Sequence, residues 1–175
     1  MEILVFDTGP LSHFAKENWL GVLKAVVGAR RAVIPDVVVG ELEEGSVRDS
    51  RLNAVLGATW LERIPLESDE EIRAFAHFAS LLVRGKHNRG EAAVLALAST
   101  IGGVAVIDDA AARKAAEDHG VPKRPTLALL CEAVRAGLLS IGLVSALADD
   151  LIASDYHLPF RTGDFERWAI ENGLV

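Results

Sequence analysis

The sequence predicts an α/β fold: a central parallel sheet with helices on both faces. Three observations carry this. Apolar runs at residues 3–6, 32–34 and 104–107 are short and continuous rather than alternating, as in strands buried on both faces. Longer stretches between them space their apolar residues as helices do. Strands alternating with helices imply parallel pairing, and right-handed crossovers bring the strand carboxyl ends to one edge, where ligands of open α/β sheets bind.

The first strand, residues 3–6, stops at Asp7, Thr8, Gly9 and Pro10, with Pro10 suited to the first position of a helix. Residues 10–28 then space Leu11, Phe14, Leu20, Leu23, Val26 and Val27 loosely as one helix ending at Gly28. After the strand at 32–34, Asp36 is expected to N-cap a helix through Gly45. On that helix Glu41 falls three and four residues after Val38 and Val37, on the docking face, while Glu43 and Glu44 point elsewhere. Residues 60–66 suggest a short edge strand limited by Pro65. Ser68 and Glu71 form the pattern of a capping box before a helix through Leu82.

A basic connection, residues 84–90, leads to a helix that is apolar nearly all round, so buried, with Glu91 in its first turn. The strand at 104–107 ends in Asp108 and Asp109, repeating the pattern at Asp7, and one of the two is expected to cap the helix over 110–119. Residues 122–125 read as a basic connection, and Thr126 as the cap of a helix that carries Cys131 on its apolar face. Two amphipathic stretches, marked by Leu147, Leu151 and Ile152 and by Phe165, Trp168 and Ala169, complete the tail. With no linker or repeat, residues 1–175 read as one domain, with a core over about 1–140 and a helical tail over about 141–175.

Composition narrows the function classes. A single cysteine excludes an internal disulfide framework and fits a reducing cytoplasm. No apolar run is long enough to span a bilayer, and Asp7 with the lack of a basic start argues against a signal peptide, so no membrane association is expected. The five histidines are scattered, which disfavours a zinc site. A net charge of −7 argues against gripping nucleic acid by bulk attraction, but clustered carboxylates neutralised by two divalent cations would offset most of that deficit.

Asp7, Glu41, Glu91 and Asp108, with Asp109 beside it, stand where they can converge at the sheet's carboxyl edge. Each alone has an ordinary explanation as a cap, a turn residue or a solvated charge; together they are a candidate site. Carboxylates cannot share a small space uncompensated, because like charges raise one another's pKa. Hard oxygen donors of this kind suit Mg²⁺ or Mn²⁺, and one or two such ions can activate water against a phosphodiester.

In order and spacing these motifs resemble the PIN-domain family, including the VapC-type toxin ribonucleases. The likeness rests on Asp7-Thr8 after the first strand, Glu41 within residues 39–42, Glu91 within residues 90–98, and residues 107–113 with Asp108, Asp109 and Arg113. It runs from residue 1 to about 140, and the tail is similar to that of one subgroup. The resemblance implies a PIN-like three-layer α/β/α fold with four to five parallel strands. It implies a metal-dependent endonuclease of single-stranded RNA, with Asp7, Glu41, Glu91 and Asp108 as catalytic ligands of Mg²⁺ or Mn²⁺. Asp109 would be an additional or alternative ligand, and Thr8 would orient Asp7 or a bound water. Glu91 departs from the Asp that most of the family carries. Lys86, Arg89 and Arg113 are candidates for phosphate contact. A small antitoxin and a homodimer are implied by the same likeness.

Three other readings compete. A phospho-acceptor receiver domain needs its acidic pair after the first strand and a lone Asp after the third, the reverse of the order here. A non-catalytic PIN-like binding module and a DNA nuclease of the same class share the fold and separate only by assay.

Overall fold

The structure, a computed structural model, describes residues 1–175. Five parallel strands form the sheet: β1 (Ile3–Phe6), β2 (Arg31–Pro35), β3 (Leu61–Ile64), β4 (Val104–Val106) and β5 (Lys123–Arg124), in the spatial order β3-β2-β1-β4-β5. The expected α/β fold and strand number are therefore observed. β1 is central, pairing Val5 with Val33 on one side and Phe6 with Val106 on the other. Its Leu4, Val5 and Phe6 are fully buried, which is why the run is continuous in sequence.

The chain moves outward from β1 through β2 to β3, then crosses back to β4 and on to β5. That reversal makes the gap between the carboxyl ends of β1 and β4 the topological switch point of the sheet. Asp7 follows β1, and Asp108 lies two residues beyond β4.

The ten helices are α1 (Thr8–Lys16), α2 (Leu20–Val27), α3 (Asp36–Ser46), α4 (Asn53–Leu56), α5 (Asp69–Leu82), α6 (Arg89–Ile101), α7 (Ala110–Asp118), α8 (Thr126–Arg135), α9 (Ile141–Ala153) and α10 (Phe165–Glu171). α6 lies across β1, β2 and β4 and packs against α5 and α7, while α1 packs with α2, α3 and α4, and α2 meets α8. Residues Ala92 through Ala98 of α6 are all buried, the reason this helix has no polar face. The tail joins the same core: Val144, Leu147, Leu151, Phe165 and Ala169 belong to one cluster with the strands. No helix is long and apolar enough to cross a membrane.

Four local expectations change. Residues 10–28 form two helices, because Asn18 takes a left-handed φ of 60° between α1 and α2. α1 begins at Thr8, so Pro10 is its third residue. Asp36 and Thr126 are the first helical residues, with Pro35 and Pro125 in the extended cap positions before them. Residues 123–124 pair with β4 as an edge strand and not as a plain connection. The capping box is complete: Ser68 accepts from the Glu71 N–H, and Glu71 accepts from the Ser68 N–H.

Candidate active site at the sheet edge

Asp7 terminates the central strand, and its backbone N–H still continues the ladder by donating to Val106 O at 3.2 Å. Its side chain is 6% exposed, one of only two buried polar residues, and Oδ1 has no hydrogen-bond partner. A buried carboxylate oxygen without a donor carries a desolvation cost and is a place for a ligand. Burial and the Glu91 charge, with Glu41 adding to them, hold the Asp7 carboxyl well above the usual carboxylate range; the Thr8 and Gly9 backbone N–H groups act the other way.

Glu41 comes from α3, on the docking face as its spacing predicts. Its Oε2 accepts from Thr8 Oγ1, and its Oε1 accepts from the Gly90 N–H at 3.0 Å. Thr8 thus orients Glu41 rather than Asp7. Gly90 is the hinge of this arrangement. A Cβ placed there would lie 2.5 Å from Glu41 Oε2 and 3.0 Å from Asp7 Oδ1, so both carboxylates face one small space that only a bare Cα leaves open.

Glu91 follows directly, in the first turn of α6, where the helix N-terminus favours an anion. Burial raises its pKa, its own backbone N–H opposes this, and the charges of Glu41 and then Asp109 raise it further. Asp7, Glu41 and Glu91 therefore interact as one acidic group, with Asp109 at its margin.

The pair after β4 divides. Asp109 caps α7 by accepting from Ala112 N–H at 2.8 Å. Asp108 is taken up by donors from α8 and the tail. It accepts from Thr126 N at 2.8 Å, from Thr126 Oγ1 at 2.6 Å and from the Tyr156 hydroxyl. Tyr156, the chain's only tyrosine, also stands edge-to-face on His13 with ring centroids 4.7 Å apart. Burial, followed by the Asp108 charge, raises the Tyr156 phenol far above its ordinary value, so it is a neutral donor. The expectation that Asp108 joins the acidic cluster as a ligand thus meets a carboxylate already engaged by three donors.

No three of the His, Cys, Asp and Glu side chains are set as a ready metal cage. The donor set nonetheless suits a hard divalent cation: an orphaned buried Asp7 oxygen, the Glu41 carboxylate facing the same small space, a glycine clearing that space, and the Glu91 charge close enough to act on Asp7. Beside Glu41, a groove of about 330 Å³ is lined by Lys86 and Arg89 together with Val37, Gly40 and Glu44. Neither cation makes an ion pair within the chain, nor does Arg113, which lies by Asp108 in a second cavity. Cys131 is buried away from this edge, and burial raises its thiol pKa, as an inert core thiol requires.

Gly90, Thr126 and Tyr156 were not legible as site residues. A glycine directly before an acidic helix start was the available signal for Gly90. Nothing local marks Tyr156, which reaches Asp108 across 48 residues of chain.

A family model described as a PIN domain matches residues 3–162. No curated protein matches the chain in sequence. Among solved structures the chain is similar to one in the crystal structure of VapBC2 from Rickettsia felis bound to a DNA fragment from their promoter. The TM-score is 0.52 at 14% identity, over 70% of this chain and 98% of that one. At that identity the likeness speaks to the fold.

Proposed function

The chain belongs to the PIN-domain family, and from that premise we propose that it is a divalent-metal-dependent endoribonuclease of single-stranded RNA, the toxin of a toxin–antitoxin pair. The single observation that carries this is the Asp7–Glu41–Glu91 group around Gly90, with its orphaned Asp7 oxygen at the switch point of the sheet.

Asp7, Glu41 and Glu91 would hold Mg²⁺ or Mn²⁺, with Asp109 beside Glu91 as a further donor. A bound ion of this type supplies a water of lowered pKa and a counter-charge for phosphodiester oxygens. The chain's own residues set the conditions for that chemistry. Thr8 and the Gly90 N–H fix the orientation of Glu41, so its carboxylate costs little to order when a ligand arrives. Burial of Asp7 against β4 keeps bulk water from its inner side. Lys86 and Arg89 border the groove at Glu41 and would take the phosphates of an extended strand, and Arg113 would meet the same strand on the Asp108 side. Asp108 acts as a positioning residue, holding the start of α8 and the tail in place through Thr126 and Tyr156.

The VapBC2 likeness supports a small antitoxin partner; a homodimer, one domain over residues 1–175 and action in the cytoplasm complete the proposal. The test is cleavage of a short single-stranded RNA with EDTA, Mg²⁺ or Mn²⁺, by wild type and Asp7→Asn, beside the DNA of the same sequence. Metal-dependent RNA cleavage that Asp7→Asn abolishes supports the reading. Cleavage of the DNA alone moves the activity to a DNA nuclease. Absence of both cleavage and a metal-induced rise in melting temperature refutes catalysis and leaves a binding module, the reading favoured by the engagement of Asp108 elsewhere.

A further inference from the structure

The largest cavity of the molecule is not the acidic group but a space of about 420 Å³ next to it, within the range of small-ligand pockets. Asp108, Arg113 and His157 are its ionisable lining residues, and Leu127, Ala128, Tyr156 and Trp168 line it with them. It is built by residues from four places in the chain: the end of β4, α7, the first turn of α8 and the tail. The acidic group is its neighbour, because Phe6 and Val106, which precede Asp7 and Asp108, are paired in the sheet.

We propose that this cavity receives one nucleobase of the single-stranded substrate, next to the bond held at the acidic group; the inference rests on the ribonuclease reading. The lining matches the chemistry of a base better than that of a hydrocarbon or a phosphate. Aromatic and aliphatic walls offer faces for a flat ring, and unstacked bases of single-stranded RNA are held on such surfaces and on guanidinium planes. Asp108 and Arg113 add an acceptor and a donor to that lining. A carboxylate offers about four acceptor sites, and three donors occupy part of that capacity at Asp108, leaving one on Oδ1 for a base N–H. Arg113 has no ion-pair partner, and its fork of donors fits the acceptors of a base edge. Tyr156 is fixed from both sides, by Asp108 and by His13, so the wall is ordered before a ligand arrives.

The experiment titrates the four ribonucleoside 5′-monophosphates and ribose 5-phosphate into the full chain in EDTA. It follows the indole N–H signals of Trp19, Trp60 and Trp168, the three tryptophans of the sequence. The Trp168 signal is expected to shift with at least one nucleotide, at an affinity about tenfold or more above that of ribose 5-phosphate. Ala128→Phe, which fills the cavity, is expected to remove that gain while the Trp19 and Trp60 signals stay in place. Arg113→Gln, at a half-buried position without an ion pair, is expected to shrink the gain over ribose 5-phosphate without unfolding, and decides the matter if Ala128→Phe does not fold. Equal binding of ribose 5-phosphate overturns the proposal, as does an unaltered affinity in the folded variants. Binding in EDTA involves no turnover, so a protein that cleaves RNA yet binds no base refutes the pocket alone. A protein that binds a base yet cleaves nothing refutes the nuclease reading alone.

Discussion

Gly90→Ala separates a site built around a glycine from a helix that merely tolerates one. Gly90 is the second residue of α6, and on helix propensity alone alanine there stabilises by up to about 1 kcal/mol. The site predicts the opposite sign. The new Cβ would lie 2.5 Å from Glu41 Oε2, so that oxygen must retreat by roughly 1 Å to reach ordinary contact. Glu41 is held by two donors, Thr8 Oγ1 and Gly90 N–H, and the retreat cannot keep both. A hydrogen bond to a charged group contributes about 1.5–3 kcal/mol, so losing one outweighs the propensity gain by about 0.5–2 kcal/mol. In a chain of this length that lowers the melting temperature by about 1–8 °C. Displacing a group that holds the reacting partners by this much costs about 100-fold in rate. Urea denaturation and metal-dependent RNA cleavage read both effects. A Gly90→Ala protein that is more stable than wild type and equally active refutes the cradle.

Asp7→Asn is expected to stabilise the metal-free protein at neutral and alkaline pH. The folded-state pKa of Asp7 is raised above the ordinary 3.8, so its favourable contribution is complete below that value and is lost as pH climbs through the folded-state pKa. The gap between Asp7→Asn and wild type in urea midpoint, measured in EDTA, should therefore be small at pH 4 and widen toward pH 8; a variant less stable than wild type at pH 8 counts against the shift. Tyr156→Phe removes one donor from Asp108 and should cost about 1.5–3 kcal/mol in the same assay, with a loss near zero showing that Thr126 alone holds the carboxylate. Asp108→Asn should retain the Mn²⁺-induced rise in melting temperature that Asp7→Asn loses. If both variants lose it, Asp108 is a ligand after all.

Much of the fold was legible because its signals are local. The buried run at Leu4, Val5 and Phe6, the capping box at Ser68 and Glu71, and the unbroken apolar surface of α6 each follow from a few neighbouring residues. β5 was not, because two cationic residues on a sheet edge carry no hydrophobic pattern. The break between α1 and α2 was hidden in a single left-handed Asn18. At the site, the inward face of Glu41 could be read from helical spacing. The partition of Asp108 and Asp109 could not. One oxygen of Asp109 meets a backbone N–H three residues on, a local event, but the direction of Asp108 is decided by Thr126 and by Tyr156 in the tail.

That partition also explains why the carboxylates do not form a finished cage. If Asp108 lacked donors of its own, as Asp7 Oδ1 does, a further unsatisfied carboxylate would stand at this edge, and each added charge raises the cost of ionising the rest. Turning Asp108 onto Thr126 and Tyr156 satisfies it with three donors and ties α8 and the tail to the edge of β4. The remaining tension lies among Asp7, Glu41 and Glu91, with Asp109 at the margin, where a bound cation would relieve it. A site of this kind is less stable empty than filled, so its folding free energy and its affinity for metal are linked. Substitutions that ease the tension, such as Asp7→Asn, should raise the stability of the empty protein and weaken metal binding together.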